Sequence, residues 1–283
     1  MVVDAHVHFW DPRALDYPWL RDEPALARSF APADYSALAD GSVDSVVFVE
    51  ANCAPTQSER EVEHIERLAA DDPRVAGIVA FADLSSSDSG GAALARLTKV
   101  ERVVGIRQNI QGHAPGFCVQ PAFVRGVQLV GDGGRTFDLC VTADQLPQAI
   151  DLVRQCPGTR FVLDHCGKPD VRNNAFASWA NDIALLADYE NVWCKLSGLL
   201  TQADPGQRSA DVLAPYADCV FDRFGHARLM YGSDWPVVNL GGGVDVWRAV
   251  VDHFTSSWSD ADRQSFHADN AVRFYGLRLH ADR

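Results

Sequence analysis

Two histidines close to the N-terminus, His6 and His8, form the His-x-His pair that most directly suggests chemistry. They lie at the end of an apolar segment that is typical of a β-strand, where side chains two residues apart point to the same side. We therefore expect Asp4 to share one face with both histidines. The other face, packed against helices, would carry Val3, Ala5, Val7 and Phe9. Two imidazoles so placed can hold one divalent ion, and the alternative is a hydrogen-bonded pair of interior histidines.

Two more side chains of the metal-ligand type follow later apolar segments. His165 closes the run FVLDH, and Asp234 comes directly after MYGS. In a β/α barrel the carboxyl ends of all strands converge on one mouth, where catalytic groups collect. We therefore expect His6, His8, His165 and Asp234 to meet in space, although they are scattered over the chain.

The elements that must position these residues are strands alternating with helices. β-branched runs predict strands at 2–8, 45–51, 75–81, 103–110, 137–141, 160–165, 191–196 and 228–232. Several of these runs are continuously apolar, as in strands covered on both faces. Eight strand–helix units with right-handed crossovers close most simply into one α/β domain, a (β/α)8 TIM barrel over residues 1–283. An open doubly wound sheet is the alternative, but no glycine-rich G-x-G-x-x-G or P-loop motif follows any predicted strand.

Helix starts can also be predicted from the sequence. Ser58 with Glu61 and Thr142 with Gln145 each match a capping box, followed by an apolar stripe of helical period. These signals place helices between the second and third predicted strands and between the fifth and sixth.

Composition narrows the class of protein. The formal net charge of −13 argues against nucleic acid and against an anionic membrane surface as partners. Seven cysteines without any C-x-x-C spacing predict reduced thiols, and no apolar stretch reaches the roughly 20 residues that span a bilayer. We expect a cytoplasmic enzyme with a small-molecule substrate. The sequence is compatible with a monomer or a homo-oligomer.

Six blocks in the same order resemble the amidohydrolase-2 branch of the amidohydrolase superfamily, and within it the sugar-lactone hydrolases of the L-fuconolactonase type. The blocks are VDAHVHFWDP (3–12), YPWL (17–20), GIR (105–107), DHCGKP (164–169), KLSG (195–198) and YGSDWP (231–236). The resemblance extends from residue 3 to about Asn270. It implies a β/α barrel whose mouth carries a His-x-His pair, a later His and an Asp after the last strand. These positions correspond here to His6, His8, His165 and Asp234.

The resemblance also bears on the metal. Two-metal members of the superfamily bridge their ions with a carboxylated lysine from the fourth strand, and the run VVGIRQNI at 103–110 contains no lysine. One ion or none is therefore what the residues permit. Zinc is the expected ion, held by His6, His8, His165 and Asp234, and members of this branch differ in whether they need it.

Several residues near the predicted mouth are candidates for holding the substrate. Arg107 has a fork geometry suited to a carboxylate or hydroxyl groups, with a structural ion pair to Glu50 or Asp138 as the alternative. The other candidates are Trp10, Trp19, Glu50, His113, Lys168 and Trp235, with Lys195 closing the seventh strand. For each tryptophan the alternative is an apolar plug at the barrel rim.

These residues favour a hydrolase that opens a small sugar-acid lactone. Asp234 would act as general base on water, with His165 and Arg107 as the other catalytic candidates. Without a metal, protonated histidines would have to polarise the carbonyl. Two other hypotheses stay open: a zinc-dependent decarboxylase of an aromatic or muconate-type acid, and a non-catalytic binding protein on the same scaffold.

Overall fold

Eight parallel strands form one sheet in chain order in the computed structural model, which describes residues 1–39 and 42–279. The strands are β1 Val3–Val7, β2 Ser45–Val49, β3 Val75–Phe81, β4 Val103–Arg107, β5 Thr136–Leu139, β6 Arg160–Leu163, β7 Val192–Leu196 and β8 Leu229–Tyr231. All eight predicted strands are present, which confirms the (β/α)8 fold class. Most of them are shorter than predicted. β6, for example, ends at Leu163 and not at His165.

In the part of the chain that the structure describes, a helix follows each strand, and two more helices come after the one that follows β8; the last of them packs against residues inside the barrel. The helices are α1 Pro32–Ala39, α2 Ser58–Asp71, α3 Ser87–Leu97, α4 Pro121–Asp132, α5 Leu146–Gln155, α6 Phe176–Ala187, α7 Ala210–Phe224, α8 Val244–Thr255, α9 Asp260–Gln264 and α10 Asn270–Tyr275. The capping box predicted at Thr142 and Gln145 is confirmed. The one predicted at Ser58 is wrong, because a 3-10 turn over Pro55–Gln57 precedes that residue and makes it part of the helix.

The barrel is closed between its first and last strands by backbone hydrogen bonds at the carboxyl end. The N–H of His8 donates to the carbonyl of Trp235 at 2.8 Å, and the N–H of Asp234 donates to the carbonyl of His6 at 2.9 Å. These bonds hold the end of β1 and the segment after β8 together, so the backbone positions His6 and Asp234 side by side.

The first strand does not alternate as the sequence predicts. Val3 and Ala5 pack with alternate residues of other strands and with α10 inside the barrel, whereas Val7 packs against the outer layer. The pairing register with β2 shifts between Asp4 and Val7, as at a β-bulge. The carboxylate of Asp4 accepts a hydrogen bond from the Tyr35 hydroxyl of α1 at 2.5 Å. The prediction that Asp4 shares a face with His6 and His8 is therefore wrong.

Two further features concern the chain as a whole. All seven cysteines are free thiols in the structure, and all but Cys219 are buried. In the part of the chain that the structure describes, no helix combines the length and the apolar character needed to cross a bilayer.

Candidate active site

Three imidazoles and one carboxylate meet at the carboxyl end of the barrel. The Nε2 atoms of His6 and His8 are 3.2 Å apart, and Asp234 Oδ1 lies 3.8 Å from the first and 3.4 Å from the second. His165 Nε2 is 3.9 Å from the same carboxylate oxygen. The structure thus brings together the four residues that the sequence predicted to meet, and all four are buried.

Left-handed backbone conformations concentrate around this cluster. Positive φ angles occur at Asn52 (53°), His165 (54°), Lys168 (48°) and Asp234 (61°), none of which is a glycine. Each such residue costs of order 1 kcal/mol or more, and such strain typically collects at functional sites. His165 was predicted to end a strand. It lies instead in a tight turn after β6.

The turn that carries His165 packs against the segment after β7. Its Nδ1 lies 2.9 Å from the hydroxyl of Ser197, which fixes the ring on one side. The next residue, Gly198, has a φ of +68°, and a Cβ there would approach the His165 ring to 2.7 Å. The block KLSG thus supplies a hydroxyl that orients the imidazole and a glycine that leaves room for it.

The tautomer of His8 leaves one ring nitrogen available to a cation. Its Nδ1 lies 2.7 Å from the carbonyl oxygen of Val49, which can only accept, so Nδ1 carries the proton and Nε2 carries a lone pair. In tetrahedral zinc sites with ligand bonds of about 2.0–2.2 Å, ligand atoms are roughly 3.4 Å apart. The separations among His6, His8 and Asp234, from 3.2 to 3.8 Å, fit that spacing.

Among the described residues, two groups of three have ligand atoms within 4.8 Å of one another. The first is His6, His8 and Asp234. The second is His6, His165 and Asp164, but the carboxylate of Asp164 also serves two cationic side chains. The first group is therefore the better candidate, with His165 next to it, and three ligands with one open position are typical of catalytic zinc.

Burial determines the charge of these groups. It lowers the pKa of His165 to about 4, even though Asp234 opposes the shift, and it lowers the pKa of His6 well below its usual range. Burial alone would raise the pKa of Asp234, but the imidazoles of His165, His8 and His6 outweigh it, so the pKa lies below its ordinary value. Near neutral pH the site thus contains neutral imidazoles at His6 and His165 beside a carboxylate. This is the protonation state that binds a metal, and it argues against the protonated histidines of the metal-free alternative.

A buried network of charges supports His6 from below. The ammonium group of Lys195 lies 2.5 Å from Asp138, 3.0 Å from Asp164 and 3.2 Å from His6 Nδ1. Tyr275 also donates to Asp138, at 2.8 Å. Lys195 was expected near the pocket, but it is completely buried and contacts His6 from within the barrel.

Arg107 makes the ion pair that the sequence left as an alternative. Its Nε donates to Glu50 Oε1 at 2.7 Å, and its Nη1 donates to Asp164 at 3.2 Å. Besides Glu50, Arg107 thus pairs with Asp164 and not with Asp138, which pairs with Lys195. Arg107 nevertheless lines the cavity above the histidines.

A cavity of about 200 Å³ opens directly above the cluster. It is lined by His8, Trp10, Trp19, Ala51, Asn52, Arg107, Asn109, Gln111, Cys140, His165, Lys168, Asp234 and Val237. The predicted substrate contacts Trp10, Trp19, Arg107 and Lys168 are therefore in position. Lys168 donates to Gln111 and lies 3.5 Å from Cys140 Sγ.

Three of the predicted substrate contacts lie elsewhere. Glu50 is buried behind Arg107, and its carboxylate orients that side chain without lining the cavity. Trp235 is also completely buried, and its ring packs against Phe30 and Tyr35 outside the barrel. The predictions that Glu50 and Trp235 contact substrate are therefore corrected. His113 is exposed, stacks on Phe117 and lines a neighbouring cavity.

Sequence reasoning missed several polar residues of the cavity wall. Asn52 follows β2, Asn109 follows β4 and Cys140 directly follows β5. Their position just after strand ends was the signal that could have identified them, because these ends form the catalytic mouth of a barrel.

Comparisons with known proteins agree with this architecture. The profile of the Amidohydrolase family matches residues 3–277. An L-fucono-1,5-lactonase of Burkholderia multivorans is 33% identical over 295 residues, which cover 99% of this chain and 97% of the relative. A 2-pyrone-4,6-dicarboxylate hydrolase of Comamonas testosteroni is 26% identical and is aligned over 96% of this chain and 89% of its own. A crystal structure of a Burkholderia multivorans amidohydrolase with bound zinc has a TM-score of 0.88 and 31% identity, with 98% of this chain and 100% of that chain covered.

Proposed function

This chain is a member of the Amidohydrolase family, and from that premise we propose that it is a carboxylic-ester hydrolase that opens a sugar-acid lactone with water. The observation that carries the proposal is the convergence of His6, His8, His165 and Asp234 under a cavity of about 200 Å³. The L-fucono-1,5-lactonase relative favours an aldonolactone of that kind as substrate.

Opening a lactone requires a nucleophilic water, a polarised carbonyl and a proton for the departing ring oxygen. When bound by His6, His8 and Asp234, a zinc ion would lower the pKa of water to about 7 and polarise the carbonyl. The lone pair on His8 Nε2 is available to such an ion, because the Nδ1 proton is donated to the carbonyl oxygen of Val49. His165 supports the same region from the turn after β6.

Asp234 is the general base of this proposal. Its carboxylate is ionised near neutral pH because its pKa lies below the ordinary value, and it accepts a proton as the water oxygen forms a bond to the carbonyl carbon. The bond between that carbon and the ring oxygen then breaks. Asp234 returns the proton to the departing alkoxide, and the product is the open-chain hydroxy acid.

The wall of the cavity supplies orientation. Arg107, held by Glu50 and Asp164, presents a fixed guanidinium that can bind a substrate carbonyl or hydroxyl. Trp10 and Trp19 contribute apolar surface, and their indole N–H groups donate to backbone carbonyls, so both rings are held in place. A sugar-like ring with one apolar face suits such a wall.

The test is a panel of L- and D-aldonolactones followed by acid release with a pH indicator. We expect hydrolysis of at least one lactone and a loss of roughly 10²- to 10⁴-fold in kcat for Asp234→Asn, the range typical of a general base. Asp151→Asn, which changes an exposed residue of α5, is the matched control and should retain full activity. Inert lactones throughout, or an active Asp234→Asn enzyme, would refute the proposal.

The decarboxylase hypothesis has no comparable support. One relative described above is named an L-fucono-1,5-lactonase and another a 2-pyrone-4,6-dicarboxylate hydrolase, and neither name is that of a decarboxylase. A separate incubation with a hydroxybenzoate tests it: a decarboxylase would release carbon dioxide from this aromatic acid, and we expect none.

A further inference from the structure

A second cavity adjoins the one above the histidines. Its volume is about 440 Å³, roughly twice that of the inner cavity of about 200 Å³. Trp19, Asn52 and Asn109 line both, so these three residues form a shared wall. Pockets for small molecules usually measure roughly 300–1,000 Å³, a range that the inner cavity alone does not reach. The inner cavity therefore accommodates one small ring, and the outer one has room for more.

The lining of the outer cavity combines aromatic faces with polar groups. Trp19, Phe81 and Phe117 supply apolar surface, and His113 stacks on Phe117 with its ring centroid 3.8 Å away. Asp83 lines the same cavity, and its Oδ1 already accepts hydrogen bonds from Ser85 and Gln108. Aromatic rings next to a carboxylate match a sugar ring, which has an apolar face and hydroxyl donors. The negative charge of Asp83 disfavours an acidic occupant.

The shared wall contains an acceptor that lacks a partner. Asn109 donates from Nδ2 to Asn52 Oδ1 at 2.8 Å, while its own Oδ1 is buried and makes no hydrogen bond within the described residues. Buried amide oxygens are rarely left unpaired in native proteins. Since this oxygen has almost no exposed surface, a hydroxyl group of a ligand that passes between the two cavities would satisfy it once the Asn109 side chain turns toward the cavity.

We propose that the outer cavity is a binding site for a second sugar ring, so that the enzyme acts best on aldonolactones that carry a glycosyl substituent. This inference rests on the proposed function and extends it to the substrate class. The lactone ring lies above His6, His8 and Asp234, and the substituent extends past Trp19 and Asn109 into the outer cavity. A neutral glycosyl group is the occupant that the aromatic faces and Asp83 favour.

The experiment compares each aldonolactone that is hydrolysed with its mono-glucosyl derivatives. We expect kcat/KM for at least one glucosyl lactone to exceed that of the parent by roughly tenfold or more, which corresponds to about 1.4 kcal/mol. Phe117→Ala should remove most of this preference and leave the parent lactone unaffected, because Phe117 lines only the outer cavity. Phe117→Tyr retains the ring and is the matched control.

A second variant guards against misfolding of the first. Ser85→Trp places a large side chain in the outer wall and should also abolish the preference, whereas Ser85→Ala should not. If the parent lactone is hydrolysed but no glucosyl derivative is preferred, or if Phe117→Ala and Ser85→Trp both retain the preference, the inference is wrong.

A binding measurement separates this inference from the proposed function. Calorimetry with a non-hydrolysable glucosyl lactam should show binding that weakens about tenfold in Phe117→Ala. If no lactone is hydrolysed but the lactam binds in this way, the result supports the outer cavity as a sugar-binding site and refutes the lactonase proposal. If neither hydrolysis nor binding occurs, both are refuted.

Discussion

Replacement of Lys195 by methionine tests whether the buried charges below the site hold the barrel together. The ammonium group is completely buried, 2.5 Å from Asp138 and 3.0 Å from Asp164, and 3.2 Å from His6 Nδ1. Methionine has a similar length and no charge. The variant would therefore leave two carboxylates inside the barrel without this counter-ion.

The expected loss follows from these distances. At an effective dielectric constant of about 20, the attraction across 3.0 Å to Asp164 is about 5–6 kcal/mol before the cost of desolvating the ammonium group is subtracted. Removal of one partner from a buried ion pair typically costs about 3–5 kcal/mol. We expect the free energy of unfolding of Lys195→Met to fall by an amount in that range.

The loss should depend on pH. Burial raises the pKa of Asp138 to about 6 even with Lys195 beside it, and without the lysine we expect a further rise. A carboxyl whose pKa is raised by folding stabilises the protein below its unfolded pKa, and that stability is lost as the pH rises through the folded pKa. The deficit of Lys195→Met should therefore be larger near pH 8 than near pH 5.

Urea denaturation of wild type, Lys195→Met, Asp138→Asn and the double variant provides the measurement. In the Lys195→Met background, Asp138→Asn should restore stability, because it removes one of the stranded charges, whereas it should destabilise the wild type. A deficit below about 1 kcal/mol for Lys195→Met, or one that is equal at both pH values, would show that the network carries little of the stability.

Three further predictions concern other buried groups. Burial raises the pKa of Glu61 from 4.5 to about 8, so wild-type stability should fall as the pH rises through that interval. Glu61→Gln should flatten the plot of urea midpoint against pH, and an unchanged slope would contradict this. His8→Asn should lose stoichiometric zinc after dialysis, measured by plasma mass spectrometry, while the exposed His253→Asn keeps it; equal zinc content would exclude His8 as a ligand. Arg107→Lys cannot maintain both carboxylate contacts, so kcat/KM for a lactone should fall roughly 10- to 100-fold at unchanged circular dichroism; full activity would reduce Arg107 to a structural role.

The four residues that the sequence predicted to meet share one property. Their place at the mouth of the barrel follows from the path of the backbone. His6 lies on β1, and Asp234 follows β8, and in a barrel both places belong to the same mouth. Apolar runs locate the strands, strand order follows from the alternation with helices, and the convergence of strand ends is then geometrically necessary. The cluster could therefore be predicted although its members are far apart in the chain.

The errors at Asp4, Trp235 and Glu50 concern the direction of individual side chains. Asp4 turns towards Tyr35 because a bulge in β1 changes the alternation, and a bulge leaves no reliable mark in a single sequence. Trp235 and Glu50 follow strand ends, as predicted. However, the ring of Trp235 packs outside the barrel, and the carboxylate of Glu50 pairs with Arg107.

The sequence by itself thus determined the eight strands, their order and the four residues that gather at one mouth, because these depend on local periodicity and barrel closure. Only the tertiary structure decided which side chains face the cavity, which form buried ion pairs and how large the two cavities are. Those properties depend on contacts between residues distant in the chain, such as Lys195 with Asp138, whose energies no local pattern encodes.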